Sequence, residues 1–289
     1  MIDWALIYPP HSWLTLSLAA LMGLLLGSFL NVVIARLPRQ LQQQWRHECQ
    51  LLLQLPTTED QQLTIVKPRS QCPHCQHSIA WYDNIPLLSW LYLRGRCRHC
   101  QARISYRYPL VECCYGIIFA ALAWHHGASL ALVVYGIAAA LLLCLIFIDL
   151  QHYLLPDPLT LPLLWLGLLW ALLGGPLDIT SAVIGAMAGY LSLWSVYWLF
   201  KLLTGKEGMG YGDFKLLAAI GAFCGWQALP VVVVSSAVLG IIYALLARLS
   251  GHLQRGQAIP FGPFLAVAGV LSFYYAQTWL QLYWQWLGL

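Results

Sequence analysis

Long apolar runs separated by short polar ones organise the chain, and a single stretch breaks that rhythm. The runs fall at 13–35, 109–126, 129–149, 157–174, 179–202, 213–226, 228–247 and 259–282. Several reach the ~20 residues with which an α-helix crosses a bilayer core, while the shorter ones must tilt, kink or be shielded by neighbours. Eight membrane helices are therefore predicted. The exception is 36–108, whose polar and charged residues are those of a water-exposed domain. The pattern predicts an all-α polytopic membrane protein in three parts: an N-terminal membrane helix within 1–35, a small inserted domain at 36–108, and a membrane core of seven helices over 109–289.

Composition agrees: 60% of the 289 residues are hydrophobic and 9% charged, against about a quarter charged in soluble domains. The basic residues then orient the helices. Ten of the fifteen Lys and Arg lie in 36–108; Lys201, Lys206 and Lys215 bracket the fifth-to-sixth connection, and Arg248 and Arg255 lie in the seventh-to-eighth. All fall on one side, which the positive-inside rule assigns to the cytoplasm. Both termini are expected outside. The net charge of +4 thus reflects topology and gives no reason to expect nucleic acid as a partner; membrane lipid is the expected surroundings. The first run follows an acidic flank (Asp3) and precedes its basic residues, the reverse of a signal peptide, so it is expected to stay in the mature protein. Gly23 and Gly27 give it a small-xxx-small face for close helix packing, with Asn31 an interhelical hydrogen bonder. No fixed-period repeat runs through the chain.

Within 36–108 stand Cys72-Pro-His-Cys75 and Cys97-Arg-His-Cys100. Two tight turns, each presenting two thiolates, make the zinc-ribbon pattern, and a reducing cytoplasm argues against disulfides. A structural Zn²⁺ held by Cys72, Cys75, Cys97 and Cys100 is expected; a redox pair is the other reading. A closed four-thiolate site leaves no position for substrate, so such a metal folds the domain. Cys49, Cys113, Cys114, Cys144 and Cys224 read as packing residues.

Ionisable groups in apolar segments are costly and call for a partner or a water-filled site. Asp149 ends the third run and Asp213, after Gly208-Met-Gly210-Tyr-Gly212, begins the sixth, so charge distribution places both at the cytoplasmic edge. Two such aspartates sharing a proton can activate a water and protonate a leaving amine. Two unrelated, solvated helix-end acids are the competing interpretation. Asp157, after Leu-Pro, reads as a helix cap, and Glu112 as a partner for Arg103 or Arg107 or as a wall of the site.

These residues carry a family resemblance. Gly27-Ser-Phe-Leu-Asn31, the two cysteine pairs, Arg107-Tyr-Pro-Leu-Val-Glu112, Phe147-Ile-Asp149-Leu, Leu155-Pro-Asp157, Gly208-Met-Gly-Tyr-Gly-Asp213-Phe-Lys215 and Ile259-Pro-Phe-Gly-Pro-Phe264 resemble the type IV prepilin peptidases of the bacterial inner membrane. The resemblance implies that Asp149 and Asp213 are catalytic. It implies cleavage of a short basic leader from type IV prepilins and type II secretion pseudopilins, on the cytoplasmic side of the cytoplasmic (inner) membrane, after glycine and before phenylalanine. It also implies N-methylation of the new terminus from S-adenosyl-L-methionine, whose site no motif marks; the cytoplasmic region is where we expect it. Gly208, Gly210 and Gly212, with Glu112, Pro260 and Pro263, are expected to wall the substrate groove. Two other functions compete: a cation- or proton-coupled transporter using the same acids, disfavoured by their position at the edge and the lack of matched broken-helix repeats, and a non-catalytic zinc-ribbon adaptor.

Overall fold

The computed structural model describes residues 13–56, 64–66, 69–72, 74–251 and 258–286. Its described secondary structure is helical, with two isolated β-bridges. By contacts it divides into two units, residues 1–144 and 145–289.

In the first unit, α1 (Trp13–Leu52) is 40 residues long. It passes the boundary expected at residue 35 without a break. Pro38 removes one backbone bond, but good helix formers surround it in sequence, and it is buried. The first part of the predicted polar domain is therefore a continuation of the membrane helix. After the metal knuckles and a five-residue helix α2 (Leu88–Tyr92), α3 (Arg107–His126) returns antiparallel to α1. The glycines of α1 set the register. A Cβ on Gly23 would stand 2.9 Å from the Gly116 Cα, and one on Gly27 would stand 2.9 Å from the Glu112 Cα. One turn on, the Asn31 amide donates to the Tyr108 carbonyl at 3.0 Å. The helix α4 (Leu130–His152) crosses the division between the units. In the first unit it is fixed by the Tyr115 hydroxyl, which donates to the Gly136 carbonyl at 2.8 Å.

The second unit comprises the end of α4, then α5 (Asp157–Leu172), α6 (Ile179–Thr204), α7 (Tyr211–Cys224), α8 (Leu229–Leu249) and α9 (Gly262–Trp286). The 14-residue α7 is its centre, with an unbroken buried run from Leu216 to Ala222, and it packs against α5, α6 and α9. Lipid provides no hydrophobic drive between helices, so close backbone approach has to hold them. Here α6 and α7 touch at Gly185 and Gly221, where a Cβ on either would overlap the other's carbonyl oxygen.

Among the described residues, five helices are long and apolar enough to cross a membrane: α1, α3, α4, α6 and the segment Trp226–Leu249. The expected eight crossings are therefore not confirmed among these residues. The apolar runs at 157–174 and 213–226 form helices of 16 and 14 residues, about 24 and 21 Å long, short of a ~30 Å core. The expected location of the termini concerns residues 1–12 and 287–289, which lie outside the described ones.

Two helical glycines should respond oppositely to alanine. Gly189→Ala puts a methyl 2.6 Å from the Leu217 carbonyl oxygen, backbone that cannot turn aside, and should cost about 1–3 kcal/mol. At Gly240 the nearest atom is a Phe264 ring carbon at 3.5 Å, so Gly240→Ala should gain up to about 1 kcal/mol of helix propensity. Thermal unfolding in detergent, followed by tryptophan fluorescence, should move down for the first and up for the second.

Candidate active site and metal centre

The active-site candidates are assembled by the ends of three helices in the second unit. Asp149 lies in the last turn of α4, and the chain then turns through Tyr153, at φ 53°, into Leu154-Leu155-Pro156. Asp213 stands in the first turn of α7, whose cap residue Gly210 has extended backbone. The third end is the start of α9: the Gly262 N–H donates to Asp149 Oδ2 at 3.0 Å. Helix N-termini carry unpaired N–H groups and the positive end of the dipole. Each aspartate therefore meets one, Asp213 its own and Asp149 that of α9.

Leu155 spaces these ends. A Cβ on Gly212 would lie 2.6 Å from the Leu155 Cβ, and a Cβ on Gly262 would lie 3.0 Å from Leu155 and 2.7 Å from Asp149 Oδ2. Both glycines are therefore required by contact. Asp149 and Asp213 are 5% and 8% exposed, and the charge of Asp149 reaches Asp213. Rings of Tyr197, Tyr211 and Phe214, with centroids 5.4–5.6 Å apart, wedge the start of α7 against α6. Lys215 of α7 pairs with Asp157 of α5 at 2.6 Å. Asp157 is thus the first residue of α5 and an ion-pair partner; the cap is Pro156.

The expected groove residues divide. Gly210 and Gly212 lie at the acids, with Pro260 and the buried Pro263 beside Gly262 in the chain. Gly208 packs on the Phe200 ring, 2.9 Å from where its Cβ would be. Glu112 belongs to the first unit, where its carboxylate accepts the Leu87 N–H at 2.9 Å and interacts with Ser28; the expected arginine partner is replaced by backbone. Sequence reasoning missed Gly262 and Leu155. The available signals were a glycine set close to two prolines and the place of both residues inside motifs that carry the family resemblance.

The metal centre lies in the first unit. The sulfurs of Cys72, Cys75, Cys97 and Cys100 all lie within 4.8 Å of one another, and Cys72 and Cys100 are 3.7 Å apart. A tetrahedral ion with ~2.3 Å bonds to sulfur sets its ligands about 3.8 Å apart, so the four fit Zn²⁺. The Cys72 thiol is held down to about 6, first by the Cys75 N–H and against burial, which raises it. The two knuckles are copies, with Cys72 and Cys97 as equivalent positions. The Cys72 N–H donates to the His77 carbonyl at 3.0 Å and the Ile79 N–H to Ser70 at 2.7 Å; Cys97 to Ala102 and Ile104 to Gly95 repeat them at 2.9 and 2.7 Å. Gln76 and Gln101 take the same left-handed conformation, φ 56° and 57°. This twofold repeat of Cys-x-His-Cys-Gln-x-x-Ile escapes a search for periodicity because two copies establish no period.

Between the knuckles, Asp83 accepts two bonds from Arg98, at 2.6 and 2.9 Å. Arg98 thereby holds the Asp83 carboxyl below its usual range. A lowered native value contributes stability that is full above the unfolded value, ~4, and is lost as pH falls through the native one. The stability difference between the wild type and Asp83→Asn should accordingly be constant at neutral pH, begin to shrink as pH falls below ~4 and vanish only below the lower native value, as read by denaturant unfolding at each pH.

Comparison with known proteins decides the family. Residues 21–126 match the bacterial peptidase A24 N-terminal domain and 136–245 the type IV leader peptidase family. A prepilin leader peptidase/N-methyltransferase of Aeromonas salmonicida is 51% identical over 94% of this chain and 91% of the relative. The chain belongs to the type IV leader peptidase family. It is an enzyme. Like-named relatives include those of Aeromonas hydrophila, 52% identical over 94% of this chain and 91% of its own, and Pseudomonas aeruginosa, 45% identical over 93% of both. No solved structure matches the chain. The matched leader peptidase segment contains both Asp149 and Asp213, and the matched N-terminal domain contains the four cysteines.

Proposed function

We propose that this leader peptidase cleaves type IV prepilins, and the related pseudopilins, through an aspartate pair, and that it methylates the amino terminus so exposed. The observation that carries the reading is the convergence of Asp149 and Asp213 on Leu155 and the starts of α7 and α9. One carboxylate takes a proton from a water held between them as that water attacks the scissile carbonyl; the other, protonated, gives its proton to the departing amine. Gly210 adds no side chain beside Asp213, and Gly212 and Gly262 make room for Leu155 at the helix ends. An extended substrate backbone, as Gly-Phe at the end of a leader offers, fits such an approach better than a helix, whose carbonyls are already engaged. The basic residues of the chain, gathered on one side, support a reaction at the cytoplasmic face of the inner membrane.

S-adenosyl-L-methionine supplies the methyl group in this reading. The described residues contain no strand, glycine loop and helix of the kind that cradles a dinucleotide in Rossmann enzymes, so that arrangement does not fit, and the donor enters no step of the cleavage. The test is to incubate the purified enzyme with a prepilin in detergent, with and without S-adenosyl-L-methionine, and to weigh the product. Loss of the leader, then a gain of one methyl group only when the donor is present, is the expected result. An unchanged prepilin mass in all conditions would leave the transporter and adaptor readings standing and this one refuted.

Gly262→Ala separates the active site from its surroundings. Its methyl would press on Asp149 Oδ2 and Leu155, so cleavage should fall roughly 10²-fold, as mispositioning of a catalytic group does. The methylation of an already trimmed pilin should be unaffected.

A further inference from the structure

Among the positions at which the copied knuckles differ, one cross-strand pair carries charge in the second only. In each, the two backbone bonds flank a residue pair that faces without exchanging bonds, the closest of antiparallel arrangements. The first knuckle has Gln71 opposite Ser78, and the second has Arg96 opposite Arg103. Like charges directly opposed are unfavourable. Gln71 and Ser78 show that the metal-binding turn does not require them. Among the described residues no carboxylate pairs with Arg96, Arg103 or the nearby Arg94. These three arginines open on a cleft of about 440 Å³, together with Trp90 and Tyr106. Three guanidinium groups around one cleft with no acid call for an anion from outside the chain.

Position says which anion. Tyr106 directly precedes Arg107, the first residue of the membrane helix α3. On α2, which contributes Trp90 to the cleft, Leu88, Leu91 and Tyr92 are 66%, 63% and 78% exposed, and Tyr106 of the cleft wall is 79% exposed. Apolar and tyrosine side chains exposed at the foot of a membrane helix belong at headgroup level, where tyrosine rings concentrate. A small soluble anion would make no use of them. We propose that the Arg94, Arg96 and Arg103 cleft binds the phosphate of an anionic phospholipid headgroup, with Leu88, Leu91 and Tyr92 settled among the upper acyl chains. The lipid then neutralises the opposed arginines and seats the metal domain on the membrane surface.

The test uses the full chain in micelles doped with equal amounts of phosphatidylglycerol and phosphatidylcholine, with retained lipids counted by native mass spectrometry. The wild type should keep phosphatidylglycerol in preference. The double change Arg96→Gln with Arg103→Ser, which copies the first knuckle's own pair, should bind it roughly thirtyfold more weakly, two surface charges' worth. Arg96→Lys with Arg103→Lys keeps the charge and should retain most of the binding. Zinc content unchanged across the variants reports an intact domain, and Arg94→Gln, outside the bridge, gives a second arm should the double change lose zinc. Phosphatidylglycerol retention equal in all variants, no preference over phosphatidylcholine, or displacement of the lipid by micromolar S-adenosyl-L-methionine would overturn the proposal.

Discussion

Asparagine in place of Asp149 or Asp213 should stop leader removal, with turnover reduced roughly 10²–10⁴-fold, while the protein keeps its fold and its zinc. The two substitutions are nearly isosteric, so the helix ends around Leu155 have no steric reason to move, and the Gly262 N–H can still donate to the amide oxygen that replaces Asp149 Oδ2. What is lost is chemistry: an amide neither takes a proton from water nor gives one to an amine. The double variant should be no slower than either single one, because the pair acts as a unit. The readout is the fraction of prepilin converted to the leaderless form over time, beside methylation of a pre-trimmed pilin, which should persist. Cleavage within tenfold of wild type in either variant would remove the aspartate pair from the mechanism.

Removal of the metal should have the second large effect, and on folding. Structural zinc contributes of order 10 kcal/mol to the small domains it closes. Beyond the Arg98–Asp83 pair the knuckles have little else: Cys75, Cys100 and their neighbours His74 and His99 are exposed, and the pair of bridges is their only extended pairing among the described residues. Cys72→Ser or Cys97→Ser should release the ion and open the segment between Arg69 and Ser105. Trypsin should then cut after Arg94, Arg96 and Arg103, whose backbone the closed knuckle holds rigid, while the membrane helices stay intact. A metal-free protein with the wild-type digestion pattern would show that zinc does not hold this domain together.

Features written as charge or as paired residues are legible in the sequence. The distribution of basic residues carries the expected orientation, the acids at the ends of two runs stand out as a candidate pair, and the two cysteine pairs foretell the four-sulfur cluster that the fold forms. What escapes depends on neighbours distant in sequence. Leu155 is an ordinary leucine until Gly212 and Gly262 are brought against it, and Gly262 has no side chain to suggest a role; it acts through its N–H and its lack of a Cβ. Helix length is hard to read from an apolar run for a related reason. An apolar run reports that a segment is hidden from water, and α7 is hidden by other helices more than by lipid, so its hydrophobicity carries no information about length. At the other extreme, Gln40 to Gln44 looks like the start of a soluble domain, yet its residues simply prolong α1.

The shortness of α7 has a consequence for the membrane itself. A helix of 14 residues falls roughly 9 Å short of the hydrocarbon thickness. Neighbouring helices can cover its sides, but nothing in its own chain fills the missing depth at its ends. Asp213 stands in the first turn, at one of those ends. On the proposed mechanism the expected consequence is a bilayer thinned at that end of α7, through which the hydrolytic water approaches the aspartates while the pilin helix stays seated in lipid.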